Sequence, residues 1–238
     1  MSGAGPPIHR LERVGSTLDV LHELASGGAP AGTMVVAREQ TAGRGSRRRT
    51  WQSPAGGLWL SWLCRPPVPV GAEVLSLRTG LAVAHALERL GGLPPVRLKW
   101  PNDVMIGERK VGGILCEARW QGDRPAWIAV GIGMNIRNEL PAEVAAHATR
   151  LADYRHDLTV EQVLSALAQA LATMPGAPGR LTAEELEDFT GRDWLAARHL
   201  AAPLAGIARG IAPDGTLRIE RPDGSLSPVH AGHVELHR

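Results

Sequence analysis

The chain has 238 residues, 44% of them apolar and 21% charged, with a formal net charge of +2. That suits one large domain, or one domain with a small appendage, and excludes a global charge field as the basis for nucleic-acid or membrane binding. Two cysteines far apart, Cys64 and Cys116, argue against a disulfide framework; with no stretch long enough to span a bilayer and no secretory-type core in the Gly/Pro-rich start at 1–7, they point to a cytoplasmic protein.

In chain order, Ser16 is a helix N-cap, Leu18, Leu21, Leu24 and Ala25 follow at helical spacing, and Gly27-Gly28 stops the helix. Residues 33–37 form a short β-type run, 40–57 a loop dense in Gly and Arg, and 58–64 an apolar run predicted as a buried strand. A helix is predicted over 75–90, ended by Gly91-Gly92. Residues 96–99 begin a strand cut by Pro101, 104–106 and 110–118 form two strands around a Gly107-Glu108 turn, and 126–131 form another. Helices follow at 160–174 and 182–189, separated by a turn-rich stretch at 175–180. The tail then changes character: short β runs are punctuated by Pro213-Asp214-Gly215 and Pro222-Asp223-Gly224, turn chemistry that marks 198–238 as a small all-β unit after a first unit at 1–197.

Four clusters carry chemistry. The first is Gly43-Arg44-Gly45-Ser46-Arg47-Arg48-Arg49-Thr50-Trp51, in which glycines let the backbone approach a ligand, arginine forks suit carboxylate and phosphate, and Trp51 offers a flat surface for a base. A solvated basic loop or a nucleic-acid patch is the ordinary alternative. The second is Lys99-Trp100-Pro101-Asn102-Asp103 with Lys110 and Gly112-Gly113 downstream, polar groups gathered where a strand is broken. Singly, Trp100 is core, Asp103 a turn cap and Lys110 a surface lysine. The third is Ser16-Thr17 with Gln40, hydroxyls and an amide able to read a small polar head group, or simply to cap a helix. The fourth, Gly131-Ile132-Gly133-Met134-Asn135, is not a dinucleotide fingerprint and reads as close backbone packing at a strand end. No metal-ligand pattern is present: His230, His233 and His237 do not share one strand face.

Taken together and in this order, GSTLD (15–19), EQTAGRGSRRRTWQSPAGGLWLS (39–61), KWPNDVMIGERKVGGILCE (99–117) and VGIGMN (130–135) resemble the biotin–protein ligase family. The resemblance covers nearly the whole chain from about residue 8. It implies an α/β (α+β) fold of the class II synthetase-like, biotin–lipoate ligase type, with a mixed β-sheet flanked by helices and a C-terminal SH3-like β domain. That last domain looks short, because 198–206 is compressed where relatives have an extra β run.

The family implies formation of biotinyl-5'-AMP from biotin and ATP, with Mg²⁺ shielding the phosphates, then transfer of biotin to a lysine of a biotin carboxyl carrier protein. Position by position, it places Ser16, Thr17, Gln40, Gly43, Arg44 and Gly113 around biotin. Arg47, Arg49, Trp51, Asn102, Lys110 and Asn135 fall around ATP or the adenylate. Lys110, Arg44 and Asp103 are the candidate catalytic groups, Asp103 as proton acceptor or orienter of the incoming lysine. Family loops carry an arginine where Ser46 stands and a glycine where Arg48 stands; a leakier adenylate is expected unless Arg48 compensates. The catalytic pattern starts too early for the helix-turn-helix domain of some relatives, so no sequence-specific DNA binding is expected. Monomer and homodimer both remain open, and a lipoate or octanoate ligase or transferase of the same superfamily is the alternative activity.

Overall fold

The computed structural model describes residues 7–66, 71–172, 174, 179–230 and 232–237. The Gly/Pro-rich start at 1–6 and most of the turn-rich stretch at 175–180 lie outside the described residues. The elements are β1 (Ile8–Val14), α1 (Thr17–Ser26), β2 (Met34–Gln40), β3 (Leu58–Cys64), α2 (Ala72–Leu90), β4 (Val96–Lys99), β5 (Asp103–Ile106), β6 (Arg109–Gln121), β7 (Arg124–Met134), α3 (Val160–Ala172), α4 (Ala183–Arg192), and β8 (His199–Ala202), β9 (Gly206–Ile211), β10 (Leu217–Glu220), β11 (Leu226–Val229) and β12 (Glu235–Leu236).

Seven strands form the main sheet in the order β1-β2-β3-β7-β6-β5-β4. The β1–β2 pair is parallel and every other neighbouring pair antiparallel, so the sheet is mixed. All seven residues of β3 are buried because helices cover both faces. On one face Val35, Leu63 and Ala129 pack against Leu18, Leu21 and Ala25 of α1. On the other, the alternate residues Val36, Leu60, Trp62 and Val130 pack beneath α2 and α3. Helix α4 joins through a capping box, Thr182 with Glu185, and Glu185 also forms an ion pair with the buried Arg78 of α2.

Two expectations need amendment. Strand β1 was not foreseen: Ile8, Leu11 and Val14 fall three apart rather than alternating, and the strand lies at the sheet edge with no buried residue. The compressed 198–206 stretch does not lack its β run, since β8 lies within it and completes a second, five-stranded sheet, β11-β10-β9-β8-β12. Leu200, Ala208, Ile211, Leu217 and Ile219 of this sheet belong to the same apolar core as α2 and β4–β7. Trp100, buried as the sequence suggested, donates its indole N–H to the Gly215 carbonyl at 2.8 Å and ties the two sheets together.

Candidate active site

On the α1 face of the main sheet lies a cavity of about 590 Å³, within the range of small-molecule sites. Its floor is opened by missing side chains. Residues 131 and 133 of β7 point to the same face, Gly133 pairs with Gly113 of β6, and all three glycines line the cavity. A Cβ on Gly131 would come 3.1 Å from Leu18, and one on Gly133 would come 2.9 Å from the Trp51 indole nitrogen.

The N-terminus of α1 supplies one group of polar atoms. Ser16 is 2% exposed, caps α1 by accepting from the Leu18 N–H at 3.3 Å, and also lines the cavity. Thr17 donates its backbone N–H (2.9 Å) and hydroxyl (3.1 Å) to Gln40 Oε1, while Gln40 Nε2 donates to Ser53 Oγ at 2.9 Å. The Thr17 hydroxyl also meets Ser61 Oγ at 2.7 Å. The amide orientation of Gln40 and the placement of Thr17 are thus fixed by α1, β2 and β3 together.

A second group surrounds Lys110. Its ammonium forms an ion pair with Asp103 and sits 4.9 Å from the Trp51 ring centre. Its backbone is bridged to the 138–148 segment and the residue after it: Lys110 N donates to His147 O at 2.8 Å, and Thr149 N donates to Lys110 O at 2.9 Å. Leu140, Pro141, Val144 and His147 of that segment form the cavity's remaining wall. Asn102 lines the cavity, yet its amide donates to Ile114 O at 2.9 Å, which secures the turn into β5. Asn135 is 5% exposed and accepts from Asn138 Nδ2 at 3.2 Å. The Trp51 indole nitrogen is buried without a hydrogen-bond partner among the described residues.

Arg44 and Lys110 line the same cavity, with Ser16, Thr17, Gln40, Arg49, Trp51, Asn102, Asp103, Gly113 and Asn135. Gly43 and Arg47 do not reach the wall. Gly43 is buried beneath it, where a Cβ would collide with Ser53 Oγ at 2.6 Å. Arg47 is exposed in a left-handed conformation, φ 60, within the 3-10 turn Ser46–Arg48. Ser46 anchors Arg49, accepting from its guanidinium at 3.3 Å through the carbonyl and 3.2 Å through the hydroxyl. Arg48 is exposed and is not part of the wall.

Arg44 is not a bare cation. Its guanidinium faces Asp19 of α1 and Glu117 of β6, and the hydrogen bond to Asp19 first, then Glu117, outweighs burial and pushes its pKa up. Glu117 is held down to about 2, first by a hydrogen bond from His22 and then by Arg44. Sequence reading missed Asp19, Glu117, His22 and the 138–148 wall. A carboxylate inside the otherwise apolar strand run 111–117 was the available signal.

Residues 11–135 match the model of the biotin/lipoate A/B protein ligase family. The chain is 33% identical over 234 residues to the bifunctional ligase/repressor BirA of Bacillus subtilis, covering 93% of this chain and 71% of that protein. It is 34% identical over 232 residues to the biotin–[acetyl-CoA-carboxylase] ligase of Paracoccus denitrificans, covering 90% and 94%. The solved biotin protein ligase from Aquifex aeolicus in complex with biotin and ATP superposes with a TM-score of 0.80 at 29% identity, over 98% of this chain and 99% of that one.

Proposed function

The chain belongs to the biotin/lipoate A/B protein ligase family, and from that premise we infer that it is a biotin–[acetyl-CoA-carboxylase] ligase in which one cavity serves two successive reactions. In the first, a biotin carboxylate oxygen attacks the α-phosphorus of ATP, and pyrophosphate leaves to give biotinyl-5'-AMP. In the second, a neutral lysine amine of a carrier domain attacks the acyl carbon, the lysine loses a proton and AMP leaves. The observation that carries this reading is the meeting of Lys110, Asp103 and Trp51 over a glycine floor in the cavity that also holds Ser16, Thr17 and Gln40.

The difficulty of the first step is electrostatic, because two anions must approach. A lysine ammonium in a partly enclosed cavity offsets that repulsion and stabilises charge developing on the phosphoryl oxygens. Lys110 has three N–H donors, one directed at Asp103, and its backbone is fixed on both sides by His147 and Thr149. Trp51 lies beside it with a face suited to an adenine ring. The Ser16, Thr17 and Gln40 group offers donors and acceptors suited to the ureido head of biotin. Asn135 and Arg49 are assigned to the nucleotide. Of the carboxylates on the wall, Asp103 is engaged by Lys110 and Glu143 stands alone, a donor set that fits an ion carried by the triphosphate and water rather than a protein cage. Mg²⁺ bound with ATP would supply charge shielding of the leaving pyrophosphate.

Asp103 has two roles open to it, orienting Lys110 and accepting the proton of the carrier lysine. They separate by half-reaction. Asp103→Asn is expected to slow transfer from preformed biotinyl-adenylate; full transfer by that variant would remove the base role. For the overall reading, pyrophosphate release with biotin and ATP is the first assay. Mass spectrometry of a carrier domain, for biotinyl addition at one lysine, is the second. Binding of lipoate but not biotin in titration calorimetry would move the assignment to the lipoate side of the family.

A further inference from the structure

Two asparagines meet where the chain bends on leaving β7. Asn135 follows the last residue of the strand and Asn138 lies beyond it in the bend; both are buried, and both line the cavity. The backbone here is tied to the rest of the fold. Asn135 N donates to Val111 O at 2.8 Å, Leu151 N donates to Asn135 O at 3.0 Å, and Arg137 N donates to Gly56 O at 2.8 Å. Gly56 has φ +97, and a Cβ there would come 3.0 Å from Asn138 N.

The polarity of the pair is set by the backbone. The Ile136 N–H, which can only donate, meets Asn138 Oδ1 at 3.1 Å, and the Glu139 carbonyl, which can only accept, meets Asn138 Nδ2 at 3.1 Å. The Asn138 amide therefore has one orientation. Its Nδ2 also lies 3.2 Å from the Asn135 amide, so the atom it meets there is the oxygen, Oδ1. Reversing the Asn135 amide would set two NH2 groups against each other. In the orientation that remains, one lone pair of Asn135 Oδ1 is used, and the N–H bonds of its Nδ2 have no partner among the described residues.

Asn135 stands two residues beyond Gly133, the glycine against the Trp51 indole, along the same alternation. An unengaged amide beside an aromatic platform is placed to read the edge of a stacked ring. Adenine offers a ring nitrogen that accepts next to a 6-amino group that donates, a pattern that the NH2 and C=O of one asparagine match together. A 6-oxo purine offers an acceptor where adenine offers that donor.

We propose that Asn138 is a positioning residue for base selection: by holding Asn135 Oδ1 it keeps that amide in the orientation that favours a 6-amino purine over a 6-oxo purine. Asn138 acts through Asn135, not by touching the base itself. The proposal rests on the placing of the nucleotide at Trp51 in the ligase reading.

Calorimetric titration with ATP and with inosine triphosphate tests it, with biotin replaced by its primary alcohol, which lacks the attacking carboxylate, so that binding alone is read. The parent is expected to bind ATP about tenfold more tightly than inosine triphosphate. Asn138→Asp keeps the shape and the acceptor for the Ile136 N–H but offers Asn135 no donor, so the Asn135 amide is expected to turn over and the preference to be lost, with binding of the alcohol unchanged. Asn138→Ala, which adds no charge, is expected to shift the preference in the same direction by less. A merely loosened bend would weaken both nucleotides alike, so an unchanged ratio in both variants would overturn the proposal. A parent that does not distinguish the two nucleotides would overturn it too. So would a further change in the ratio when Asn138→Asp is added to Asn135→Ala, where the reading amide is already gone. A parent that prefers ATP and loses that preference in Asn138→Asp, yet releases no pyrophosphate with biotin and ATP, would uphold the positioning role and overturn the ligase reading.

Discussion

Lys110 and Gly133 show how unequal single positions around one cavity are. Replacing Lys110 with Ala removes the ammonium facing Asp103 and Trp51. Adenylation is expected to fall by about two to three orders of magnitude, as for loss of one charge-stabilising donor, while the fold persists; single-turnover AMP formation and circular dichroism check the two halves of that statement. Gly133→Ala is expected to act through its neighbour. Its Cβ would stand 2.9 Å from the Trp51 nitrogen and 3.0 Å from the ring, so the indole must turn away. Loss of a stacking face costs about 1–3 kcal/mol, which would appear as a roughly five- to 150-fold rise in KM for ATP. Gly113→Ala meets the flexible end of Lys110, at 3.2 Å, and touches the Trp51 ring only at an ordinary 3.5 Å, and is expected to be milder. Ser46 and Arg48 complete the picture: Ser46 anchors Arg49, and Arg48 faces away from the wall. We therefore expect Ser46→Arg to slow biotinyl-adenylate dissociation, measured by competition after forming the complex; equal rates would reject the idea of a leaky intermediate.

Among the elements, β6 and β7 carry the site because their glycines lie in register, Gly113 opposite Gly133, and open the floor on the face that α1 covers elsewhere. The end of α4 poses a different problem. Asp193, 3% exposed, caps it and accepts the Leu195 N–H at 2.8 Å, while Leu98 and Trp194 run alongside. Burial pushes its carboxyl up to about 6, only partly opposed by the Leu195 bond and Arg97. Since the folded chain holds this proton more tightly than the unfolded chain, the group loses stability for the fold as pH climbs from about 4 to about 6, and the full penalty applies above that. Asp193→Asn keeps an acceptor for Leu195 and carries no charge. It is expected to match the parent near pH 4 and to exceed it at pH 7.5 by at most about 3 kcal/mol, measured by urea denaturation at the two pH values.

At the level of the whole molecule, two sheets share one core. Residues from β8, β9 and β10 pack with those of α2 and β4–β7, and Trp100 and Trp194 sit at the junction. Arg198 stacks 3.8 Å above the Trp194 ring and forms an ion pair with Glu108, which joins the second sheet to the β5–β6 turn. The boundary at 197/198 therefore falls within one shared core. Calorimetry is expected to show a single cooperative transition. Two separated transitions would mean that the β unit unfolds by itself.

Much of this was legible without coordinates. The apolar run at 58–64, the helical spacing after Ser16 and the Asp-Gly turns in the tail are local patterns, and local patterns survive in a linear string. So do the polar clusters at 16–17, 40–51, 99–103 and 110–113, whose candidate site residues line one cavity apart from Gly43 and Arg47. Three things had no such imprint. The edge strand β1 buries none of its side chains, so no periodicity is imposed on it. The short β8 exists through pairing with β9 and β12. The state of Arg44 was decided by carboxylates 25 residues before it and 73 residues after it. Charge pairing depends on distance in space, and only the folding of α1 against the sheet brings those three side chains within reach.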